Sequence, residues 1–378
     1  MLAQPATTRL RYRAKADTGA VYGAYSHDAA SDWNTVSVTN RNVTSFVMGG
    51  YSHLADNASS SNNSVVLDNS ESMYVYGGLN NNMNEGSKTV AHNNTVTRKT
   101  RNSAMYVFGG AGEFANGNTI NIQDSTVTAA IFAGTGTSGE DNNTVSISGK
   151  SVLNNAVIFG GMLHKTGNTL QMHTSGVTAG DIANFENLHF YLPNNIANGD
   201  TVLTLDGQAF GTPTDITGAN IGVAVTGGKA ALQPGDRITL INAELGLTAD
   251  AKPVNNTSGM KGIQGVSLRY GFDLSTDPNN LYATVNKVET NPQTKSLSEG
   301  RLGGLAFVNQ GADLLSNAGI AYALEAAQTE KHLFSVISGG NSRYKSGSHV
   351  DVKGVNLLAG ASTKLPNSSG NLLLTGFY

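Results

Sequence analysis

Two short sequence motifs, which we call words, recur along the first half of this 378-residue chain and constrain its fold more than any other feature. The first is apolar and ends in small residues, and between residues 20 and 161 it reads AVYGA, FVMGG, YVYGG, YVFGG, AIFAG and VIFGG. The second opens with Asn and alternates apolar with polar residues, as in NTVSV at 34–38 and NTINI at 118–122. Each word returns after 24 to 32 residues, a period that is typical of stacked solenoid repeats.

The alternation in the Asn words predicts a strand with one buried face, because successive side chains of a strand point to opposite sides. We expect one inward column, formed by Val36, Val65, Val96, Ile120, Val145 and Leu170. The Asn residues that open the words are expected to line one corner, where they bond neighbouring rungs and tolerate left-handed dihedral angles: Asn34, Asn63, Asn94, Asn118, Asn143 and Asn168. The sequence therefore predicts an all-β parallel solenoid over residues 20–184, within a repetitive segment 1–184.

Two further features of the repeats carry expectations. The paired glycines are expected to permit positive φ at a corner where a side chain would clash with the next rung. Arg98 interrupts the apolar column of its rung and is a local misfit. The glycine words GAGEFA (110–115) and GTGTSG (134–139) also satisfy a nucleotide-binding fingerprint, but strands rather than helices follow them, which favours turns.

Composition excludes several classes of protein. A formal net charge of −3 argues against a basic nucleic-acid binder, and the absence of Cys excludes disulfides and thiolate metal sites. No segment reaches the roughly 18 apolar residues of a membrane helix. The N-terminus lacks an apolar signal-peptide core, so we expect either that the chain stays inside the cell or that its start is missing.

The second half of the chain changes character twice. Residues 185–290 lose both words and predict a varied β-rich segment that caps the solenoid. After Pro292, apolar residues recur every three or four positions and predict a helix from about Arg301 to Gln328, with one face formed by Leu302, Leu305, Val308, Ala312, Leu315, Gly319, Tyr322 and Ala326. Residues 291–330 are thus a linker helix, and residues 331–378 contain three long strands, for which a soluble hairpin sheet and a membrane sheet both remain open.

The stretches NPQTKSLSEGRLGGLAFVNQGADLL (291–315) and FSVISGGNSRYKSGSHVDVKGVNLLAGAS (334–362) resemble the junction between passenger and translocator in bacterial autotransporters. LQPGDRITLINA (232–243) also resembles the end of such passengers. The resemblance implies that the helix threads an outer-membrane barrel, that export machinery assembles it, and that the passenger lies at the cell surface. The family barrel has about a dozen strands whereas this chain offers three, so we expect an incomplete autotransporter with a truncated barrel, because an open sheet leaves its edges unpaired in lipid.

The sequence contains few patterns of catalytic or metal-binding residues. His164 and His173 flank one Asn word but lack a third ligand, and no motif predicts a cofactor. Three pairs of acids, Asp68 with Glu71, Glu140 with Asp141, and Asp181 with Glu186, lie at different repeat phases and are expected to be ordinary solvated carboxylates. We therefore expect no enzyme but an adhesin-like module with a host or cell-surface ligand; the alternative is a polysaccharide-acting enzyme on a solenoid.

One column is the candidate ligand-binding site. In the glycine words the residue after the β-branched position is Tyr22, Met48, Tyr76, Phe108, Phe132 or Phe159. The β-branched residues Val21 to Ile158 must face the opposite side of the strand. The aromatic column is therefore either covered, as parallel strands often are, or exposed as a stripe that recognises sugars or partner proteins. The predicted site residues are Tyr22, Tyr76, Phe108, Phe132 and Phe159.

Overall fold

The computed structural model describes residues 9–12, 18–27, 29–53, 56–82, 86–207, 209–226, 230–260, 268–290, 292–328, 332–345, 349–364 and 373–377. The chain divides into two compact units, Met1–Glu289 and Thr290–Tyr378. Within the described residues, none of the helices is long and apolar enough to cross a membrane.

The first unit is a parallel β-solenoid built from two long sheets. Sheet A contains, in spatial order, β1 (Arg9–Tyr12), β3 (Thr35–Thr39), β5 (Ser64–Asp68), β7 (Thr95–Lys99), β9 (Thr119–Gln123), β11 (Thr144–Ser148), β13 (Thr169–Met172), β15 (Asn187–Leu192) and β18 (Asn220–Val225). Sheet B contains β2 (Thr18–Ser26), β4 (Asn42–Ser52), β6 (Glu71–Asn80), β8 (Ser103–Ala111), β10 (Thr126–Thr135), β12 (Leu153–Gly161), β14 (Val177–Ala183), β16 (Thr201–Leu205), β19 (Arg237–Ala243), β22 (Asn280–Thr290) and β21 (Leu268–Thr276). A small pair, β17 (Thr214–Asp215) and β20 (Leu247–Thr248), lies beside them.

The core lies between the two sheets and confirms the predicted columns. In sheet A, the column from Val36 to Leu170 is in register from strand to strand, and each of its members is fully buried. In sheet B, the β-branched column from Val21 to Ile158 is also in register and at most 2% exposed. The apolar alternation read from the sequence therefore fills the solenoid interior.

Parallel pairing continues beyond residue 184, where the sequence predicts a change of architecture. β15 and β18 extend sheet A, and β16 and β19 extend sheet B, with the same parallel register as the earlier rungs. The arrangement changes only where β22 pairs with β19 in antiparallel orientation. Within 185–290, β22 is thus the strand that departs from parallel stacking, and the capping of the solenoid by this segment stays a prediction.

The predicted corner of Asn residues is present as a ladder of hydrogen bonds. The backbone N–H of each of the first five Asn residues donates to the side-chain Oδ1 of the Asn in the next rung, over distances of 2.8–2.9 Å. The carboxamide groups of the first four also donate to the same oxygens at 2.9–3.1 Å. All six Asn residues are at most 2% exposed, so the ladder satisfies polar groups that water does not reach.

The expected use of positive φ is wrong for both words. Positive φ belongs to the residue before each ladder Asn, as at Asn62, Asn93 and Gly117, and not to the ladder Asn itself. The paired glycines do not adopt positive φ among the described residues; they are needed for close approach. A Cβ on Gly77 would lie 2.7 Å from the Asn94 Cβ and against the carbonyl oxygen of Gly109. The glycines therefore let sheet B pass directly over the Asn ladder.

Arg98 is buried inside the solenoid, as its place in the pattern indicates. Its side chain is 0% exposed and pairs in register with Leu67 on one side and Ile122 on the other. The Nε, Nη1 and Nη2 atoms have no hydrogen-bond partner in the described structure. Desolvation lowers the pKa of Arg98 to about 9. The core thus contains an uncompensated guanidinium.

The second unit combines one helical segment with an antiparallel sheet. The helix begins at Pro292, earlier than predicted, and consists of α1 (Pro292–Asp313), a π-helical stretch (Leu314–Gly319) and α2 (Ile320–Gln328). The sheet contains β23 (Leu333–Lys345), β24 (His349–Lys364) and β25 (Leu373–Phe377) in sequential order. Phe307 and Gln310 of the helix lie over Gly340 and Gly354, which face each other across β23 and β24.

Only part of the predicted helix face is buried: Gly319 and Ala326 are, but its large side chains are not. Leu305 and Val308 are 53% and 68% exposed, and Tyr322 is 47% exposed. Gly319 of the predicted face lies beside Leu358 of the sheet, and Phe307, which is not part of that face, lies over Gly354. The helix therefore has two apolar faces, since large apolar side chains recur on both the packed and the exposed sides.

Candidate functional site

The outer face of sheet B carries the predicted aromatic column as a continuous stack. Tyr76, Phe108, Phe132 and Phe159 occupy one position of successive strands, with ring centroids 4.4, 5.0 and 4.7 Å apart. The planes of neighbouring rings differ by only 3 to 7°. These spacings match the distance of about 4.8 Å between paired strands, so the register of the solenoid dictates the stack.

Tyr22 is not part of this stack. It shares the same register position, but Met48 lies between it and Tyr76 and is only 3% exposed. Tyr22 stacks instead on Tyr51, with ring centroids 6.1 Å apart, and Tyr51 contacts the exposed ring of Tyr25. The predicted set of five aromatic residues therefore separates into a four-ring ladder and a neighbouring tyrosine cluster.

A second ladder runs beside the first and was missed by the sequence reasoning. Phe46, Tyr74 and Tyr106 stack at centroid distances of 5.2 Å, and Tyr106 lies 6.3 Å from Phe108. These residues precede the β-branched column just as the predicted ones follow it, and positions i and i+2 of a strand share a face. The signal was present in the same words, as the first letter of FVMGG, YVYGG and YVFGG.

We call the outer surface formed by both ladders the aromatic face. It comprises Phe46, Tyr74, Tyr106, Tyr76, Phe108, Phe132 and Phe159, all of which are half-buried. Their burial comes in large part from stacking on one another, so this surface lies between the two alternatives of a covered strand and a fully exposed stripe. Met73 and Met105, which are 44% and 41% exposed, extend the apolar surface at its rim.

The orientation of the rings decides what the aromatic face presents to a ligand. Neighbouring rings cover each other's flat faces, because they stack almost parallel at van der Waals distance. Solvent therefore meets ring edges and tyrosine hydroxyl groups. Burial, with a smaller effect of Tyr74, raises the pKa of Tyr76 to about 12, which keeps its hydroxyl neutral at physiological pH. The aromatic face therefore offers few open ring faces on which a sugar could stack.

The C-terminal end of the ladder is closed by a loop. Phe210 approaches Phe159 edge-on, with centroids 5.9 Å apart and planes at 77°. Phe210 is itself 48% exposed. Met162 and Leu163, which follow Phe159 closely in the chain, are 51% and 62% exposed. In the next rung the ladder position is Ala183, so the aromatic face ends at Phe159.

Two of the acids that were expected to be solvated are buried. Glu140 is 0% exposed and accepts hydrogen bonds from the backbone N–H groups of Gly136, at 2.6 Å, and Leu163, at 2.5 Å. Asp181 is 2% exposed and accepts a hydrogen bond from the Thr214 hydroxyl at 2.7 Å. Desolvation is the main cause that raises the pKa of Asp181. Both carboxylates bind loop residues through hydrogen bonds and are shielded from water. The expectation of ordinary solvated acids is therefore wrong for both.

Glu113 plays a similar part in an earlier corner. Its carboxylate accepts hydrogen bonds from the Gly86 N–H at 2.9 Å, from the Lys88 N–H and from the Ser138 hydroxyl at 2.9 Å. The bond from Gly86 is the largest of the causes that lower the pKa of Glu113. Glu113 and Glu140 therefore both accept hydrogen bonds from backbone N–H groups of neighbouring loops.

The two histidines considered as metal ligands have separate partners. His164 lies with its Nδ1 3.6 Å from Glu140, whereas His173 stacks on Tyr191 with ring centroids 4.2 Å apart. Burial lowers the pKa of His173. In the part of the chain that the structure describes, no group of three His, Asp or Glu side chains is arranged to hold a metal ion.

Comparisons with protein-family models, with curated proteins and with solved structures found no match for this chain. The resemblance to autotransporters therefore depends on the quoted junction segments and on the order of architectures along the chain. That order is a repetitive β-solenoid followed by a helix and an antiparallel sheet, which is compatible with an autotransporter passenger.

Proposed function

We propose that this chain is part of a bacterial autotransporter whose solenoid is displayed at the cell surface as an adhesin-like interaction module. The observation that carries the proposal is the aromatic face. The largest contiguous apolar patch on the surface of a soluble protein often marks a binding site. Aromatic residues and Met are also the side chains that are enriched where proteins bind one another.

The second unit supports the outer-membrane part of the proposal. On the exposed side of the sheet, Leu333, Ile337, Val355 and Leu357 are between 66% and 78% exposed. Ile337 lies directly opposite Leu357, so these residues share one surface. From Leu333 to Gly339 this surface spans about 20 Å, close to the band of about 25 Å with which outer-membrane strands face lipid.

Charged residues follow this apolar band along the same strands. Arg343 binds Asp351 through two parallel hydrogen bonds of 2.7 and 2.9 Å, and Asn341 lies opposite Lys353. A strand that leaves the hydrocarbon layer is expected to change from apolar to charged residues in this way. The second apolar face of the helix would likewise be covered if further strands closed around it, as in the family that the junction segments resemble.

The alternative is a polysaccharide-acting enzyme on a solenoid, and two observations weigh against it. The rings of the aromatic face present edges where a sugar platform would present flat faces. The buried acids Glu113 and Glu140 are occupied by backbone N–H groups, whereas a glycosidase requires a pair of carboxyl groups free to act on the glycosidic bond.

The proposal is tested in bacteria that express the gene. Protease added to intact cells should remove the solenoid and leave a membrane-bound fragment that begins near residue 290. The double variant Tyr76→Ser/Phe108→Ser should reach the surface in normal amount and lose adhesion. The matched control Thr97→Ala/Ser146→Ala changes the outer face of sheet A and should adhere normally. A solenoid that resists protease on intact cells and is released only by lysis would contradict surface display.

A further inference from the structure

The rings of the aromatic face meet solvent by their edges, and this orientation selects the kind of ligand that the face can bind. From Tyr76 to Phe159 the rings stack almost parallel, with planes that differ by 3 to 7°, so their flat faces cover one another. An aromatic ring carries partial positive charge at its edge and partial negative charge over its face. The outward surface of the ladder is therefore a row of weakly positive C–H edges.

A flat π-system laid over this row is its electrostatic complement. The negative face of such a molecule would rest on the edges of successive rings, which is the edge-to-face geometry that aromatic pairs prefer. A cation would instead need an open ring face, and stacking within the ladder covers these. An aliphatic chain would bury apolar area without the electrostatic match.

The dimensions of the ladder limit the size and charge of the ligand. Three steps of about 4.8 Å give about 14 Å between the first and last ring centres. Tyr106 lies 6.3 Å from Phe108, so the second ladder widens the surface by one row of rings. From β4 to β12 both outward columns consist of aromatic, aliphatic and Met side chains. These features fit a neutral, planar rod that lies along the solenoid axis.

The two ends of the ladder differ in chemistry. Its first ring, Tyr76, carries a hydroxyl group that stays neutral because burial raises its pKa to about 12, so it can donate a hydrogen bond. At the other end, Phe210 approaches Phe159 edge-on and is 48% exposed. A rod on the ladder would thus have a hydrogen-bond donor near one end and an apolar side chain near the other.

We propose that the aromatic face is a binding site for elongated, planar aromatic molecules such as polyphenols, which lie along the ladder from Tyr76 to Phe159 with their π-faces on the ring edges and an acceptor group near Tyr76. Binding depends on the solenoid alone. A role of such molecules as the surface to which cells adhere rests on the proposed function.

A neutral aminophenyl-benzothiazole dye tests the site, because it is rigid, planar and fluorescent when bound. The purified full-length chain in mild detergent should bind the dye, with detergent alone as the blank. A twisted analogue, in which a methyl group turns the two ring systems out of one plane, should bind at least about fivefold more weakly, because only one ring system can rest flat on the edges. Dyes of increasing length should gain affinity up to about 14 Å and not beyond.

Ladder variants show whether the rings are responsible. Each edge-to-face contact contributes about a two- to tenfold change in affinity, so Phe108→Leu/Phe132→Leu should weaken dye binding at least fivefold while it keeps apolar side chains in place. Tyr25→Leu is the matched control, since it removes an exposed tyrosine outside the ladder, and it should change the affinity less than about twofold. If the double variant loses the circular dichroism of the strands, Phe159→Leu should instead shorten the length at which affinity stops rising by about 5 Å.

Two results would overturn the proposal. One is equal affinity for the planar and the twisted dye. The other is equal loss of binding from the ladder variants and from Tyr25→Leu, which would indicate adsorption without a site. Because dye binding is measured on the purified chain, failure of surface display would leave its outcome unchanged.

Discussion

Replacement of Arg98 by Leu should stabilise the solenoid, although it removes the largest side chain of the buried core. Leu67 and Ile122, its neighbours in register, show that an aliphatic residue fits this column. Three buried nitrogens without partners each cost about 1 kcal/mol or more. A pKa lowered from 12.5 to about 9 corresponds to a penalty of about 5 kcal/mol on the charged form.

The gain is reduced by the volume that Leu leaves empty, for which about 1–2 kcal/mol is reasonable because Leu is shorter than Arg. We expect a net increase of about 3 kcal/mol in the free energy of unfolding. The difference in stability between Arg98→Leu and the wild-type protein should also depend on pH. The unfolded chain binds the proton more tightly than the folded chain, so the stability of the wild-type protein should rise as pH increases from about 9 towards 12.5, and that of Arg98→Leu should not follow.

The assay uses Trp33, the single tryptophan of the chain, which lies beside the Asn ladder in the first unit and reports on the solenoid. Urea titrations of wild type and Arg98→Leu should differ in midpoint by about 1 M. Lys99→Leu is the matched control, because it removes the same charge from the adjacent, exposed position. A lower or unchanged midpoint for Arg98→Leu, or an equal rise for Lys99→Leu, would refute the claim that the buried guanidinium is uncompensated.

Three other changes test the interior and its corners. Ile120→Ala should lower the free energy of unfolding by about 2–5 kcal/mol in the same titration, because Ile120 is fully buried between the sheets. Asn118→Ala should cost about 2 kcal/mol or more, since it leaves Asn94 donors without an acceptor; an equal effect of Asn121→Ala on the outer face would argue against the ladder. Glu113 has a pKa below its ordinary value of 4.5, so its contribution is present above that pH and should be lost as pH falls below it. Glu113→Gln should flatten this acid limb of the thermal-unfolding profile, and an unchanged limb would contradict it.

The rungs could be predicted from the sequence because each one repeats the same alternation and the same opening Asn. The limits of the solenoid could not, since strands such as β16 and β19 keep parallel pairing without either word. Their apolar residues fill the same core although the corners differ. The two repeated words, which depend on the corner residues, therefore end earlier in the sequence than the parallel solenoid does.

Of the two aromatic columns in the candidate site, only the one after the β-branched residue could be predicted from the sequence. The column after the β-branched residue is aromatic in most rungs, whereas the column before it becomes Ala130 and Val157 in the later ones. The predicted clash of a glycine side chain with the next rung is confirmed, but the predicted positive φ is wrong, because the glycines are required by the close approach of sheet B to the Asn ladder. The buried acids Glu140 and Asp181 were misjudged because their neighbours are distant in sequence.

The Asn ladder gives the solenoid a direction. In each of its five steps the donor belongs to the earlier rung and the acceptor to the later one. The side-chain dipoles of the interior steps are therefore aligned head to tail and polarise one another, as in any chain of hydrogen bonds. A break at Asn94 divides this chain into two short pieces, whereas a break at Asn34 only shortens it by one step. Position along the axis, and not chemical identity alone, would set how far the loss of one amide is felt.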